Sequence, residues 1–210
     1  MKKIVIPGEL VSAERKRLGS NVYVANGKIY SKVIGITDNE GDYANVVALE
    51  GKYEPRRDDV VIGTVIRAVH AGYEININSA ATSFIPRGAF REDLREGDLI
   101  SAKVSYVDEM RQAELDFPRT IFGGEIFMVT PVKVPRFIGK NASMLDVLKE
   151  GTGSTVIVGK NGRVWAKGGD LGLLKEALEF IEENSHKSNL TNTVQDLLKK
   201  KGKKKNLGDE

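Results

Sequence analysis

Cysteine is absent from this 210-residue chain, and only two histidines occur, His70 and His186. A chain without thiols forms no disulfides or thiolate metal sites, and two distant histidines do not suggest a zinc site. No run of about 18 apolar residues occurs, so we expect no membrane-spanning helix. The apolar run at Ile4–Ile6 ends at Pro7 and is too short for a signal peptide. These absences favour a cytoplasmic protein without a metal or cofactor.

Charge is unevenly distributed, although the net charge is only +3. Residues 58–124 hold 7 Lys and Arg against 11 Asp and Glu, which is a net charge of −4. A nucleic acid bound there would have to use local clusters of positive charge. Residues 185–210 carry a net charge of +4 and include a lysine run that predicts disorder. Such a tail is either a solubilising end or a weak binding segment.

Short apolar runs predict that the chain is mostly β before residue 125. Residues 1–57 predict a small β domain, with a hairpin turn at Asn26-Gly27 because type I′ turns favour positive φ at both central residues. Residues 58–124 predict five short strands, which suit a closed five-stranded barrel of the OB type. The predicted strands are Ile4–Ile6, Asn21–Val24, Ile29–Ile36 and Ala44–Leu49 in the first domain, then Val60–Ala68, Tyr73–Ile77, Phe84–Pro86, Leu99–Val107 and Glu114–Phe117.

Residues 125–184 predict a different, α+β domain with the order β-α-α-β-β-α. Asn161-Gly162 marks its hairpin, and Gly151 is expected to end its second helix. Leucines at helical spacing line one face of the last helix. Residues 185–210 then form a helical and Lys-rich tail that is partly disordered.

The second domain resembles the RNA-binding domain named after ribosomal protein S-one. The resemblance is carried by five segments in order: Asp59–Val65, Val69–Ile75, Phe84–Pro86, Glu96–Asp98 and Ala102–Val104. It implies a face with stacking aromatics, but the two usual aromatic positions hold Ala71 and Glu74, and the usual histidine is Pro86. The remaining candidates for phosphate contact are Arg67, Arg87, Arg91 and Arg95, and His70 and Tyr73 lie near the usual aromatic positions but are shifted from them. Each arginine could equally be a solvated surface residue, and core packing suits Tyr73 better than stacking.

The stretch Lys133–Ala142 resembles the signature of the K-homology (KH) domain, Ile-Gly-x-x-Gly between two helices. In that family the glycines let an RNA backbone approach the loop, which clamps about four nucleotides. The second glycine is Ala142 here, whose β-carbon should weaken the grip without abolishing it. The resemblance implies RNA contact by Arg136, Ile138, Gly139, Lys140, Asn141 and Ala142. The alternative is a helix–turn–helix corner that needs one glycine for packing.

The order of the three domains resembles the RNA-binding cap subunits of the archaeal exosome of the S-one/KH type. Pro7–Leu10 and the block Gly159-x-Asn161-Gly162-Arg163 also fit this family. The resemblance implies a non-catalytic subunit that binds single-stranded RNA and caps a hexameric ring of phosphorolytic subunits. Three copies, alone or with the other cap subunit, would guide RNA 3′ ends into the pore for 3′-to-5′ degradation.

Three other functions remain open from the sequence. One is an RNA-binding transcription or translation factor outside the exosome. Another is an enzyme, but the carboxylate pairs Asp58/Asp59 and Asp108/Glu109 are adjacent in sequence, and adjacent residues on a strand point to opposite faces. The third is a structural cap whose loops do not touch RNA.

Overall fold

The computed structural model describes residues 3–38, 41–49, 51–88, 93–185 and 189–205, with side chains as far as residue 201. The chain divides into two compact units, residues 1–51 and 52–210. Both contain β-sheets, and helices occur in the second unit after residue 130. The predicted fold class, mostly β with a helical C-terminal part, is therefore confirmed.

The first unit consists of two small, mainly antiparallel sheets around a core of Val5, Val22, Ile29, Ala44 and Val46. One sheet has the order β1-β6-β7-β3 and the other β2-β5-β4. The strands are β1 Ile4–Val5, β2 Leu10–Ser12, β3 Arg17–Leu18, β4 Val22–Ala25, β5 Lys28–Ser31, β6 Gly35–Asp38 and β7 Tyr43–Ala48.

Two local predictions for this unit had different outcomes. Asn26 and Gly27 both have positive φ, 51° and 73°, and join the paired ends of β4 and β5, so the hairpin prediction is confirmed. The single strand predicted over Ile29–Ile36 is wrong. The Ser31 hydroxyl donates a hydrogen bond to the Val33 carbonyl at 2.6 Å, and the chain bends there to enter the other sheet.

Five strands of the second unit close into a barrel, in the order β10-β12-β11-β8-β9. Strands β10 and β12 pair in parallel, whereas the other neighbouring pairs are antiparallel. Alternate residues face inward and form a core that includes Val61, Ile75, Ile85, Ile100 and Leu115. The strands are β8 Val60–Val69, β9 Gly72–Asn76, β10 Ser83–Pro86, β11 Leu99–Val107 and β12 Ala113–Ile121.

After the barrel come a three-stranded sheet and helices in the predicted order β-α-α-β-β-α. The sheet has the order β13-β15-β14 and is antiparallel. Short 3₁₀ turns at Pro131–Lys133 and Lys140–Ala142 precede the first two helices. The elements are β13 Glu125–Met128, α1 Val134–Ile138, α2 Ser143–Thr152, β14 Thr155–Val158, β15 Arg163–Lys167 and α3 Leu171–Glu183.

The end of α2 differs from the prediction. Gly153, with φ 66°, lies beyond the last turn, so Gly151 is not the residue that ends the helix. Gly151 lies inside α2 instead, where a β-carbon would come within 2.6 Å of Leu198 Cδ1. The small residue allows close packing of a fourth helix.

That fourth helix, α4, spans Leu190–Lys205. Its residues Leu190, Val194 and Leu198 are buried in the core formed by α1–α3 and their sheet. Helix α4 extends into the lysine run as far as Lys205, beyond the last of these three buried residues. Among the described residues, no helix is both long and apolar enough to cross a membrane.

Candidate nucleic-acid interface

The corner between α1 and α2 has an unusual backbone. Gly139 follows α1 with φ 75° and ψ 175°, and Asn141 and Ala142 both have left-handed φ values of 52° and 64°. Phe137 and Met144 are buried on either side and hold the corner to the core. The corner is therefore a turn anchored to the core, in which three of four consecutive residues have positive φ.

Position 139 requires glycine. A β-carbon there would lie 2.7 Å from the backbone nitrogen of Met144 and 2.9 Å from Ser143 Oγ, and the φ of 75° is rarely adopted by other residues. Ala142 also has left-handed φ but is not glycine, which costs about 1–2 kcal/mol. Ala142, where the sequence departs from the Ile-Gly-x-x-Gly pattern, is thus a strained residue.

Positive charge is exposed around this corner. Arg136 and Lys140 are solvent-exposed, as is Asn141 between Lys140 and Ala142, and Ile138 is partly buried against the core. Within the described ranges, neither cation has an ion-pair partner. Among the described residues no side chain caps the N-terminus of α2, although the amide of its first residue, Ser143, donates to the carbonyl of Lys140.

Arg67 on the barrel is already paired. Its Nε and Nη2 donate hydrogen bonds to the two carboxylate oxygens of Glu74 at 2.9 and 2.7 Å. These bonds hold the pKa of Glu74 below its usual value and raise the pKa of Arg67. A guanidinium held in this way is a weaker candidate for a phosphate contact than Arg136.

The other barrel candidates lie in different environments. Tyr73 is 4% exposed, and its hydroxyl donates to Asp93 Oδ1 at 3.1 Å, so its ring belongs to the core and offers no stacking face. His70 and Arg87 are exposed at one end of the barrel, where the Arg87 amide donates to the carbonyl of Ala71 at 2.8 Å. Arg91 lies outside the described residues.

Asn161 is a buried contact residue whose role the sequence reasoning missed, since the sequence placed it in a hairpin turn and in a block that fits the family. The hairpin is present between β14 and β15, but the Asn161 side chain is completely buried against the barrel. Its Nδ2 donates to the carbonyls of Ile62 and Ile77 at 2.7 and 2.8 Å, and its Oδ1 accepts from the Ile62 amide at 3.2 Å. The asparagine satisfies three backbone groups of the barrel that the junction buries.

Neighbouring residues extend this junction. The Lys160 amide donates to the Val60 carbonyl at 2.8 Å, and Arg163 Nη1 donates to the Asn76 carbonyl at 2.8 Å. Burial lowers the pKa of Arg163. Gly162 is also required, because a β-carbon there would lie 2.3 Å from the Val129 carbonyl oxygen. The glycines near Asn161, at positions 159 and 162, were the signal for this junction in the sequence. The same residues also predict a hairpin turn, so the sequence did not distinguish a turn from a buried junction.

The corner offers exposed positive charge to a ligand. Within the part of the chain that the structure describes, no three His, Cys, Asp or Glu side chains are grouped so that they could hold a metal ion. The exposed cations at a glycine-bent corner, in a chain that also contains a β-barrel, suit a polyanionic ligand. The fold and the corner thus define a class, a nucleic-acid-binding protein.

Comparisons with known proteins identify the family. Residues 2–50 match the family model of the exosome RNA binding protein RRP4 N-terminal domain. The exosome complex component Rrp4 of Methanosarcina barkeri is 39% identical over 94% of this chain and 82% of the relative. The Rrp4 proteins of Methanothermus fervidus and Nitrosopumilus maritimus are 33% and 34% identical, over 94% and 96% of this chain and 95% and 97% of the relatives. The chain belongs to the Rrp4 family of exosome components.

A solved structure agrees with this assignment. A crystal structure of a chain provisionally described as an exosome complex RNA-binding protein superposes with a TM-score of 0.65 and 26% identity, over 74% of this chain and 99% of that chain. Family membership confirms the expectation of an RNA-binding exosome component rather than an enzyme, and it does not support a factor outside the exosome.

Proposed function

We propose that this chain is a non-catalytic RNA-binding subunit of an archaeal exosome, where three copies cap a hexameric phosphorolytic ring. In this role the chain captures single-stranded RNA and guides its 3′ end into the pore for 3′-to-5′ degradation. Its relatives are named exosome complex components, which supports the assembly. The single observation that carries the RNA role is the exposed positive charge of Arg136 and Lys140 at the Gly139 corner, which has no ion-pair partner among the residues that the structure describes.

The corner is assigned to a KH domain over residues 125–184. The β-α-α-β-β-α order and the glycine-bent turn between α1 and α2 support this assignment. The RNA backbone lies against Gly139 and Asn141, with its phosphates near Lys140 and the first turn of α2. The β-carbon of Ala142 crowds this path, which weakens the grip.

Residues 58–124 are assigned to an S-one type OB barrel that contributes weakly to RNA binding. The parallel pairing of β10 with β12 in an otherwise antiparallel barrel supports the OB assignment. The two stacking positions hold Ala71 and Glu74, and stacking is worth about 1–3 kcal/mol per base. His70 and Arg87, at one end of the barrel, provide its contacts. Several weak sites around one pore would reinforce each other through a high effective concentration.

Residues 1–57 are assigned to a β domain that docks on the ring. Ile4, Ile36 and Val47 lie opposite one another on three neighbouring strands. Ile4 is 64% exposed and Val47 54% exposed, and Ile36 is partly buried between them. Such a row of apolar side chains, two of them exposed, is typical of an interaction surface. The C-terminal tail after residue 185 and the cytoplasmic location remain predictions.

Reconstitution tests the assembly. The chain is mixed with a purified phosphorolytic ring, and the mass of the complex and the decay of single-stranded RNA are measured. We expect a ring with three bound copies and faster RNA decay than the ring alone. Val47→Asp should abolish assembly, whereas Val24→Asp should not, because Val24 is comparably exposed at 51% but lies in the other sheet.

Two results would separate the parts of the proposal. If Val47→Asp assembles as well as Val24→Asp, the docking surface is wrong. If the complex forms but RNA decay does not change, the chain is a structural cap and its RNA role is wrong.

A further inference from the structure

A cleft lies between the Gly139 corner and the first turn of α4. Its volume is about 360 Å³, at the lower end of the roughly 300–1,000 Å³ found for small-ligand clefts. Pro135, Met144 and Leu190 form its apolar part. Its polar lining comes from Arg136, Lys140, Ser143, Asn189, Thr191 and Asn192.

The two sides of the cleft carry different chemistry. The α1–α2 side supplies the cations Arg136 and Lys140, and the α4 side supplies the amide side chains of Asn189 and Asn192. Neither amide hydrogen-bonds another residue in the described part of the chain, and both asparagines are exposed. The described lining contains no carboxylate. A ligand with an anionic group at one end and hydrogen-bonding groups at the other fits this arrangement.

We infer that this cleft holds one nucleotide of the bound RNA, and that α4 forms the second wall of the RNA site. The phosphate lies against Arg136 and Lys140, and the ribose or base edge hydrogen-bonds Asn192. Amide side chains both donate and accept, so they suit base edges and 2′-hydroxyl groups. The inference rests on the proposed RNA role of the corner and assigns a direct binding role to a helix outside the β-α-α-β-β-α unit.

Packing explains why α4 can hold this position. Leu190, in the first turn, and Val194, one turn later, are both buried in the core. The first turn of α4 is therefore fixed beside the corner, and Asn192 lies between these two anchors on the solvent side. A rigid helix places hydrogen-bonding groups more accurately than a loop does.

The test uses the full-length chain and a short fluorescein-labelled single-stranded RNA of mixed sequence, with binding followed by anisotropy at several salt concentrations. Asn192→Ala should weaken binding about fivefold, the loss expected for one neutral hydrogen bond. Its salt dependence should match that of the unsubstituted chain, because no charge is removed. Asn192→Asp should weaken binding further, because it places a carboxylate beside the phosphate. Gln195→Ala is the matched control, since it removes an amide from the same helix outside the cleft.

The outcomes distinguish this inference from the proposed function. If Lys140→Ala weakens binding while Asn192→Ala and Asn192→Asp bind like Gln195→Ala, the corner binds RNA without α4 and the inference is overturned. If Lys140→Ala also binds normally, the proposed RNA role of the corner fails as well. Equal thermal unfolding temperatures for the variants would exclude misfolding as the cause of any loss.

Discussion

Asn161 joins the helical part of the molecule to the barrel through the backbone of Ile62, which it contacts as both donor and acceptor. The bonds to the Ile62 carbonyl and amide are 2.7 and 3.2 Å long, and both residues are completely buried. Ile62 faces out of the barrel on β8, opposite Ser101 of β11. The contact fixes where the glycine-bent corner lies relative to the barrel.

Asn161→Ala should therefore destabilise the protein. It removes the 2.8 Å bond to the Ile77 carbonyl as well as both bonds to Ile62. Buried backbone groups left without a partner cost about 1–3 kcal/mol. We expect the free energy of unfolding to fall by about that amount, measured by urea unfolding with the fluorescence of Trp165, the single tryptophan.

Lys160→Ala is the control for this measurement. Lys160 bonds the barrel through its backbone amide, which the substitution keeps. Its stability should stay close to that of the unsubstituted chain. Equal unfolding curves for the two variants would show that the Asn161 bonds contribute little.

Replacement of Ala142 tests the strained corner. Ala142→Gly removes both the left-handed strain and the β-carbon, so we expect tighter RNA binding and equal or slightly greater stability. Ala142→Val should have the opposite effect, because β-branched residues rarely adopt positive φ. Anisotropy titration with labelled RNA measures the affinity. Unchanged affinity in both variants would mean that RNA does not pass this corner.

Ser83 presents an unpaired hydroxyl inside the barrel. It is 1% exposed, and its Oγ has no hydrogen-bond partner among the described residues. An unpaired buried hydroxyl is unfavourable, so Ser83→Ala should leave stability unchanged or raise it by up to about 1 kcal/mol.

Ser154 provides the comparison for Ser83. It is similarly buried, at 4% exposure, but its hydroxyl donates to the Gly168 carbonyl at 2.7 Å. Ser154→Ala should therefore lower the free energy of unfolding by about 1–2 kcal/mol. Urea unfolding of both variants gives the comparison, and a loss of stability in Ser83→Ala as large as in Ser154→Ala would contradict the assignment.

Arg67→Ala tests whether the barrel arginine contacts phosphate. Because its Nε and Nη2 are engaged by Glu74, removal should change RNA affinity less than Arg136→Ala does. Glu74→Gln should release the guanidinium and strengthen RNA binding. Parallel anisotropy titrations compare the three variants, and a larger loss for Arg67→Ala than for Arg136→Ala would place the main contact on the barrel.

Local signals in the sequence predicted local structure well. Asn26-Gly27 encodes its own hairpin, because the positive φ values depend only on those two residues. The corner at Gly139 was located from the resemblance of Lys133–Ala142 to the KH signature, and its glycine has the positive φ that the signature requires. Alternation of Tyr73, Ile75 and Ile77 also placed Tyr73 on the inner face of β9, and this periodicity was a better guide than its nearness to the stacking positions.

Long-range contacts could not be predicted in this way. The bonds of Asn161 reach residues 84 and 99 positions away, and no local pattern encodes them. The pairing of Arg67 with Glu74 depends on a register shift between β8 and β9. The position of α4 depends on burial of Leu190, Val194 and Leu198 against other helices, and no local pattern in the lysine-rich segment indicates this packing.

The salt dependence of RNA binding tests the central claim most directly. The affinity of the full-length chain for labelled single-stranded RNA is measured at several salt concentrations, together with Arg136→Ala, Lys140→Ala and the double variant. For single strands, each lost phosphate contact should reduce the log–log slope by about 0.7, so the double variant should lose about 1.4. Equal slopes and affinities for the double variant and the unsubstituted chain would contradict the account, because the Gly139 corner would then not bind RNA.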